Sequence, residues 1–178
     1  MSGLSVQWTS VGRRPTHGFT LVELMITIAV AAILLGIALP SFRSTIDGNR
    51  ITGKANELVG ALNLARSEAL SRGRAVSACA SSDGASCSGS TAWSAGWIVF
   101  VDGGTAGVVD GGDLVLRMWP AIDARDTLEA DVDFVSFNAQ GTASATTFTL
   151  KPQSCSSTQR REIDLSSAGR ISLRRLAC

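Results

Sequence analysis

Glu23 is the only formally charged residue between Phe19 and Leu39, a run of 21 residues. If that run lies in lipid, its carboxylate costs about 2.5–3.5 kcal/mol on the insertion scale, which marks it as a functional residue rather than an accident. The ordinary alternative is an acid that snorkels to the interface. A second group of reactive side chains closes the chain. Five arginines, among them Arg160, Arg170, Arg174 and Arg175, face only Glu162 and Asp164 within residues 159–178. Clustered guanidinium groups can hold phosphates, with affinity that falls steeply in salt. A third group is acidic: Asp102, Asp110, Asp113, Asp123, Asp126, Glu129, Asp131 and Asp133 stand against Arg117 and Arg125. The two ends of this asymmetry cancel to a formal charge of +1, so no strong global field is expected.

Cys79, Cys87, Cys155 and Cys178 contain no Cys-x-x-Cys pair, and His17 is the only histidine. The usual zinc spacing is therefore missing, and no metal or cofactor is expected. Four cysteines in a non-cytosolic chain allow three pairings, and the sequence does not choose among them. The local solution, Cys79–Cys87 with Cys155–Cys178, is favoured because each bridge closes a polar or terminal segment with little core of its own. Four free thiols in a reducing compartment remain the alternative. The Asp- and Gly-rich stretch from Asp102 to Asp113 invites a calcium reading. It lacks the EF-hand pattern, and the same residues are what a long hairpin connection requires. Gly103-Gly104 and Gly111-Gly112 have no phosphate-loop lysine.

Several elements must position these groups. At about 1.5 Å per residue, a helix over 19–39 spans roughly 30 Å, the hydrocarbon thickness of a bilayer. Arg13, Arg14 and His17 precede it, which keeps the short leader in the cytoplasm and sends the remainder across. A secretory signal would be shorter, and a plain anchor leaves Glu23 unexplained. Pro40 should bend the helix. Ala55, Leu58, Val59, Leu62, Ala65 and Ala69 then draw one apolar stripe, with Arg50, Lys54, Glu57, Arg66 and Glu68 largely off it. Gly73 is placed to stop that helix. Thereafter the period becomes two, predicting strands over 74–78, 97–102, 114–119, 134–137, 147–151, 162–166 and 170–176. With 45% hydrophobic residues the chain can bury a proper core. The fold class is α+β: a long N-terminal helix packed on antiparallel β-sheets. Trp93, Trp97 and Trp119 read as core or turn packing.

Gly18-Phe19-Thr20-Leu21-Val22-Glu23, followed by an unbroken apolar helix, resembles the class III signal of type IV prepilins and pseudopilins. Gly96-Trp97-Ile98-Val99-Phe100, the Asp/Gly turn, Leu114-Val115-Leu116-Arg117, Ser67-Glu68-Ala69 and Gly169-Arg170 are similar to the GspH/FimT pilin-like domain. The resemblance implies cleavage between Gly18 and Phe19 by a membrane prepilin peptidase, with N-methylation of Phe19. It assigns Glu23 to the new α-amine, in its own chain or a neighbour's, during assembly with major and minor pilins or pseudopilins. The chain then divides into a cleaved leader (1–18), a transmembrane and filament-core helix (19–39), the second half of the helix (40–73) and a β-rich domain (74–178). It is expected to be single-pass in the inner membrane with its C-terminal domain in the periplasm, ending in an extracellular pilus or a periplasmic pseudopilus. Removal of the leader takes His17 with it, so catalysis is not expected.

Within this resemblance three roles stay open: a minor type IV pilin in or initiating a filament, the H pseudopilin of type II secretion, and a tip receptor for double-stranded DNA. The last draws on a Gly-Arg-x-Arg element of some FimT-like members. Here Gly169-Arg170-Ile171 is followed by Ser172. A hairpin turning over Ser166-Ser167-Ala168 would put Ile163, Leu165, Ile171 and Leu173 on the core face and Asp164 opposite Arg170. Arg160, Arg170 and Arg174 would then face outward, with Arg175 adjoining them as a phosphate contact.

Overall fold

The computed structural model describes residues 18–155 and 157–178, and leaves the side chains of 38–41, 43 and 44 undescribed. The leader therefore lies outside the described residues except for Gly18. Two units are distinguished, Met1–Ser41 and Phe42–Cys178. The bend expected at Pro40 falls at their junction, on an undescribed side chain. In the first unit, helix α1 (Leu21–Arg72) begins with its apolar residues exposed on every face, from Leu21 through Ile37. Among the described residues no helix is long and apolar enough to cross a membrane. Within the first unit the described apolar side chains end at Ile37, and the span read over 19–39 is taken up under the proposed function.

In the second unit α1 changes character. Ala55, Leu58, Leu62, Ala65 and Ala69 are fully buried and Val59 partly so, as the stripe demands. Each fully buried leucine contributes about 1.5–3 kcal/mol relative to exposure. The helix stops at Arg72 because Gly73 takes a left-handed φ of 64°, its N–H returning to the Ala69 carbonyl at 3.0 Å.

Eight strands follow: β1 (Val76–Ala80), β2 (Gly96–Val101), β3 (Leu114–Pro120), β4 (Asp126–Ala130), β5 (Phe134–Phe137), β6 (Thr146–Pro152), β7 (Arg160–Leu165) and β8 (Ile171–Leu176). They form two antiparallel sheets, ordered β3-β2-β1-β5 and β4-β6-β7-β8. The architecture is thus α+β, the helix packed on two antiparallel sheets that share one core. Strands β1 and β2 are buried throughout because both faces of their sheet are covered. Val76, Ala78, Trp97 and Val99 join the main core, while Cys79, Ile98 and Phe100 form a second cluster under Cys87, Val109 and Val115. Trp93 sits in a short 3-10 turn (Trp93–Ala95), edge-on to Phe148 at 5.0 Å, its indole N–H donating to the Val132 carbonyl at 3.1 Å.

Strand β4 was not legible as a strand. Its sequence Asp-Thr-Leu-Glu-Ala has one large apolar residue, Leu128, and opens on a carboxylate that no periodicity predicts to be buried. The first strand also starts two residues later than expected, at Val76 rather than Arg74. A further difference concerns the β7–β8 hairpin. Asp164 lies opposite Ser172, not Arg170, and Leu165 opposite Ile171. The turn keeps three residues but sits one place further along the chain: the Ser166 N–H donates to the Arg170 carbonyl at 2.9 Å, closing Ser167–Gly169, and Gly169 holds a φ of 73°. The slip is by two residues, so the faces are unchanged while the partners differ. Leu173, expected in the core, is 38% exposed, because β8 is an edge strand with a neighbour on one side only.

Candidate functional site

The N-terminal group is ordered by a helix cap. Gly18, Phe19 and Thr20 precede α1 as non-helical backbone, and Phe19 is 85% exposed. The Thr20 hydroxyl accepts from the Glu23 N–H at 3.2 Å, and the Thr20 carbonyl from the Leu24 N–H at 3.1 Å. Thr20-x-x-Glu23 is therefore an N-capping pattern, a local signal that sequence reasoning about Glu23 overlooked. It fixes Glu23 in the first helical turn, where a carboxylate also suits the positive end of the helix dipole.

The arginines do not form one surface. Arg174 is engaged by two acids, its guanidinium 2.6 Å from Glu162 and 2.8 Å from Asp164. The outward face of β7–β8 thus carries Arg160 and Arg174 against Glu162 and Asp164, which sums to no net charge. Arg160 is half-buried, and its Nε has no hydrogen-bond partner. Arg170 stands exposed at the turn, its N–H donating to the Ser166 hydroxyl at 3.1 Å. Arg175 points to the opposite face, because it pairs across the ladder with Arg161. The four residues expected to meet one ligand are divided between two faces and a turn.

Three arginines that pattern alone left solvated or unassigned are structural. Arg50 forms a fork with Asp126, Nε to Oδ2 at 2.8 Å and Nη2 to Oδ1 at 2.7 Å, and reaches Asp47 at 2.7 Å. The hydrogen bonds to Asp126 drive its pKa well above the usual arginine range, against an opposing effect of burial. Arg66 donates to the Gly141 carbonyl at 3.1 Å and the Ala168 carbonyl at 3.2 Å, which pins the β7–β8 turn to the helix. Arg161 is 4% exposed and donates to the Thr158 carbonyl at 2.9 Å and the Thr52 hydroxyl at 3.0 Å. No sequence signal distinguishes it from its exposed neighbours except its odd place in the alternation of β7.

The Asp/Gly stretch joins β2 to β3 as a hairpin connection. Its carboxylates are occupied by the backbone: Asp102 accepts from Gly107 N–H at 2.9 Å and Ser77 hydroxyl at 2.6 Å, Asp110 from Thr105 N–H at 2.9 Å, and Asp113 from Gly103 N–H at 2.9 Å. Among the described residues no group of three or more ligating side chains is placed to hold a metal ion. Two bridges join Cys79 to Cys87 and Cys155 to Cys178, with Cα separations of 5.6 and 5.7 Å. This is the local pairing.

Comparison with known proteins adds to these observations. Residues 54–169 match the family described as type II transport protein GspH, and residues 13–39 match the prokaryotic N-terminal methylation motif. Crystal structures of the type IV minor pilin FimU of Pseudomonas aeruginosa (strain PAO1) in two space groups are 28% and 27% identical to this chain. They superpose with TM-scores of 0.56 and 0.53, covering 71% and 69% of this chain and 89% and 91% of theirs. The minor pseudopilin EpsH from the type 2 secretion system of Vibrio cholerae is 14% identical, with a TM-score of 0.47 over 72% of this chain and 97% of its own. A search of curated proteins returned no match.

Proposed function

The chain belongs to the GspH family of minor pilins and pseudopilins, and from that premise we propose that it is a minor type IV pilin that joins or initiates a pilus filament. The methylation motif implies processing by prepilin peptidase and assembly with other pilin-type subunits. Cleavage falls between Gly18 and Phe19, and Phe19 becomes the methylated N-terminus. The observation that carries the reading is a contrast within α1. Its second half buries a narrow stripe in the chain's own core, whereas Leu21–Ile37 exposes apolar side chains all round. A helix apolar on every face requires surroundings that cover every face, first the inner membrane and then the filament core. Moving between the two keeps its burial. Glu23, fixed by the Thr20 cap, pairs with the Phe19 amine and sets the subunit's register. The FimU likeness supports a pilus role. The family description favours, as the other reading, the corresponding place in a type II secretion pseudopilus.

Mass spectrometry of the chain recovered from cells with and without prepilin peptidase tests this. The expected product begins at N-methylated Phe19 only when the peptidase is present. Glu23→Gln should be processed normally yet missing from sheared filaments. An uncut chain, or a Glu23→Gln variant that assembles like wild type, overturns the reading.

A DNA receptor role at the pilus tip is supported by one feature, the exposed Arg170, which among the described residues has no ion pair. Its test is duplex binding across a salt series by wild type and by a variant with Arg170, Arg174 and Arg175 changed to glutamine. Binding that is salt-sensitive and lost in the variant supports it, and no binding at low salt removes it.

A further inference from the structure

Arg161 and Arg175 lie directly opposite one another on β7 and β8, so both side chains leave the sheet on the same face. Like charges in that relation are destabilising. Among the described residues neither is ion-paired: the acids of this hairpin, Glu162 and Asp164, are on the other face with Arg174. Burial, and then the charge of Arg175, hold the Arg161 pKa below the usual arginine value. A nearly buried cation with no counter-ion is costly unless something compensates it.

Both guanidinium groups line a recess of about 220 Å³ between α1 and the end of β8. Its remaining walls are neutral and polar, including Asn49, Ser157 and Thr158, and they contain no carboxylate. That space is well above what a single water needs and is enough to admit a tetrahedral oxyanion. Arg161 is held ready by neutral acceptors. It donates to the Thr158 carbonyl and to the Thr52 hydroxyl, and that hydroxyl in turn donates to the Gly48 carbonyl at 2.7 Å. The Ser157 wall is fixed by the Cys178 N–H, which donates to the Ser157 carbonyl at 2.9 Å beside the Cys155–Cys178 bridge.

We propose that this recess is a binding site for a phosphate group, with Arg161 and Arg175 as its two cations. The Arg175 guanidinium, the Arg161 donors not taken by Thr158, Arg160 and Thr52, the hydroxyls and an amide together offer more donors than the two oxygens of a carboxylate can use. A phosphate group has acceptors for all of them. The site shares Arg175 with the DNA reading above but uses neither Arg170 nor Arg174, so Arg170→Gln tells the two apart.

The experiment is thermal unfolding of the full chain in non-ionic detergent, in phosphate against chloride at equal ionic strength. Wild type should show a saturable rise of its midpoint with phosphate. Arg175→Gln should need at least tenfold more phosphate for half the effect, while in chloride its midpoint is unchanged or higher because a repulsion has been relieved. Arg170→Gln should behave as wild type in both. A second arm replaces inorganic phosphate by a short single-stranded oligothymidylate at equal phosphate concentration. Half-saturation at lower concentration assigns the site to a phosphodiester, and at higher concentration to free phosphate. No rise over chloride with either probe overturns the proposal, as does an Arg175→Gln variant whose phosphate dependence matches wild type. Because Arg175 is exposed, the substitution spares the core, and a failed fold is not the expected complication.

Discussion

Replacing Arg50 by alanine leaves the Asp126 carboxylate, whose side chain is 0% exposed, without the fork that holds it at 2.7 and 2.8 Å. Removing one partner of a buried ion pair typically costs about 3–5 kcal/mol, because the remaining charge is stranded rather than merely unbonded. The half-buried surface pair Lys54–Glu57, by contrast, should be worth about 0–1 kcal/mol at most. Urea unfolding of a fragment beginning at Phe42, where the second unit starts with its own core, separates these cases. With a slope of about 2 kcal/mol per molar, Arg50→Ala should lower the midpoint by roughly 1.5–2.5 M, and Lys54→Ala by less than about 0.5 M. A double replacement, Arg50→Met with Asp126→Leu, should recover most of the loss, since apolar residues can substitute for a buried pair. An Arg50→Ala midpoint within about 0.5 M of wild type would refute the reasoning, since Asp126 would then be compensated by another group.

Two further outcomes follow from the turns. Gly169→Ala should destabilise by more than about 1 kcal/mol, because its φ of 73° disfavours any side chain and the new Cβ would collide with the Gly141 carbonyl oxygen. Urea unfolding checks this. Asp83, inside the Cys79–Cys87 loop, accepts from the Ser86 hydroxyl and from the Ala85 and Ser86 N–H groups, and these bonds hold its pKa far below the usual carboxylate range. A depressed folded pKa means that the loop's stabilisation is complete above the unfolded value of about 3.9 and is lost as the pH falls below it. Amide exchange at Ala85 and Ser86 should therefore accelerate only under strong acid, and in Asp83→Asn should be fast already at pH 5.

The sequence by itself determined whatever rests on local pattern. An apolar run with one acid at a fixed distance from Gly18-Phe19 is a local code, and it needs no fold to be read. The stripe from Ala55 to Ala69 is set by the 3.6-residue period, and most strands by alternation between Gly- and Asp-rich turns. For the disulfides the sequence favoured the short-range pairing without choosing it, and the fold brings each pair of Cα atoms to 5.6 and 5.7 Å. Tertiary structure decided what depends on distant partners. Arg50 and Arg66 read as solvated because Asp126, Gly141 and Ala168 are 75 or more residues away, and only folding makes them neighbours. The same fact hid β4, whose opening Asp126 looks like loop until Arg50 neutralises it. Alternation fixes which face a strand residue takes, but not its partner. The position of the Ser167–Gly169 turn set the β7–β8 register, and that register sent Arg174 to the acids on one face and Arg175 to Arg161 on the other.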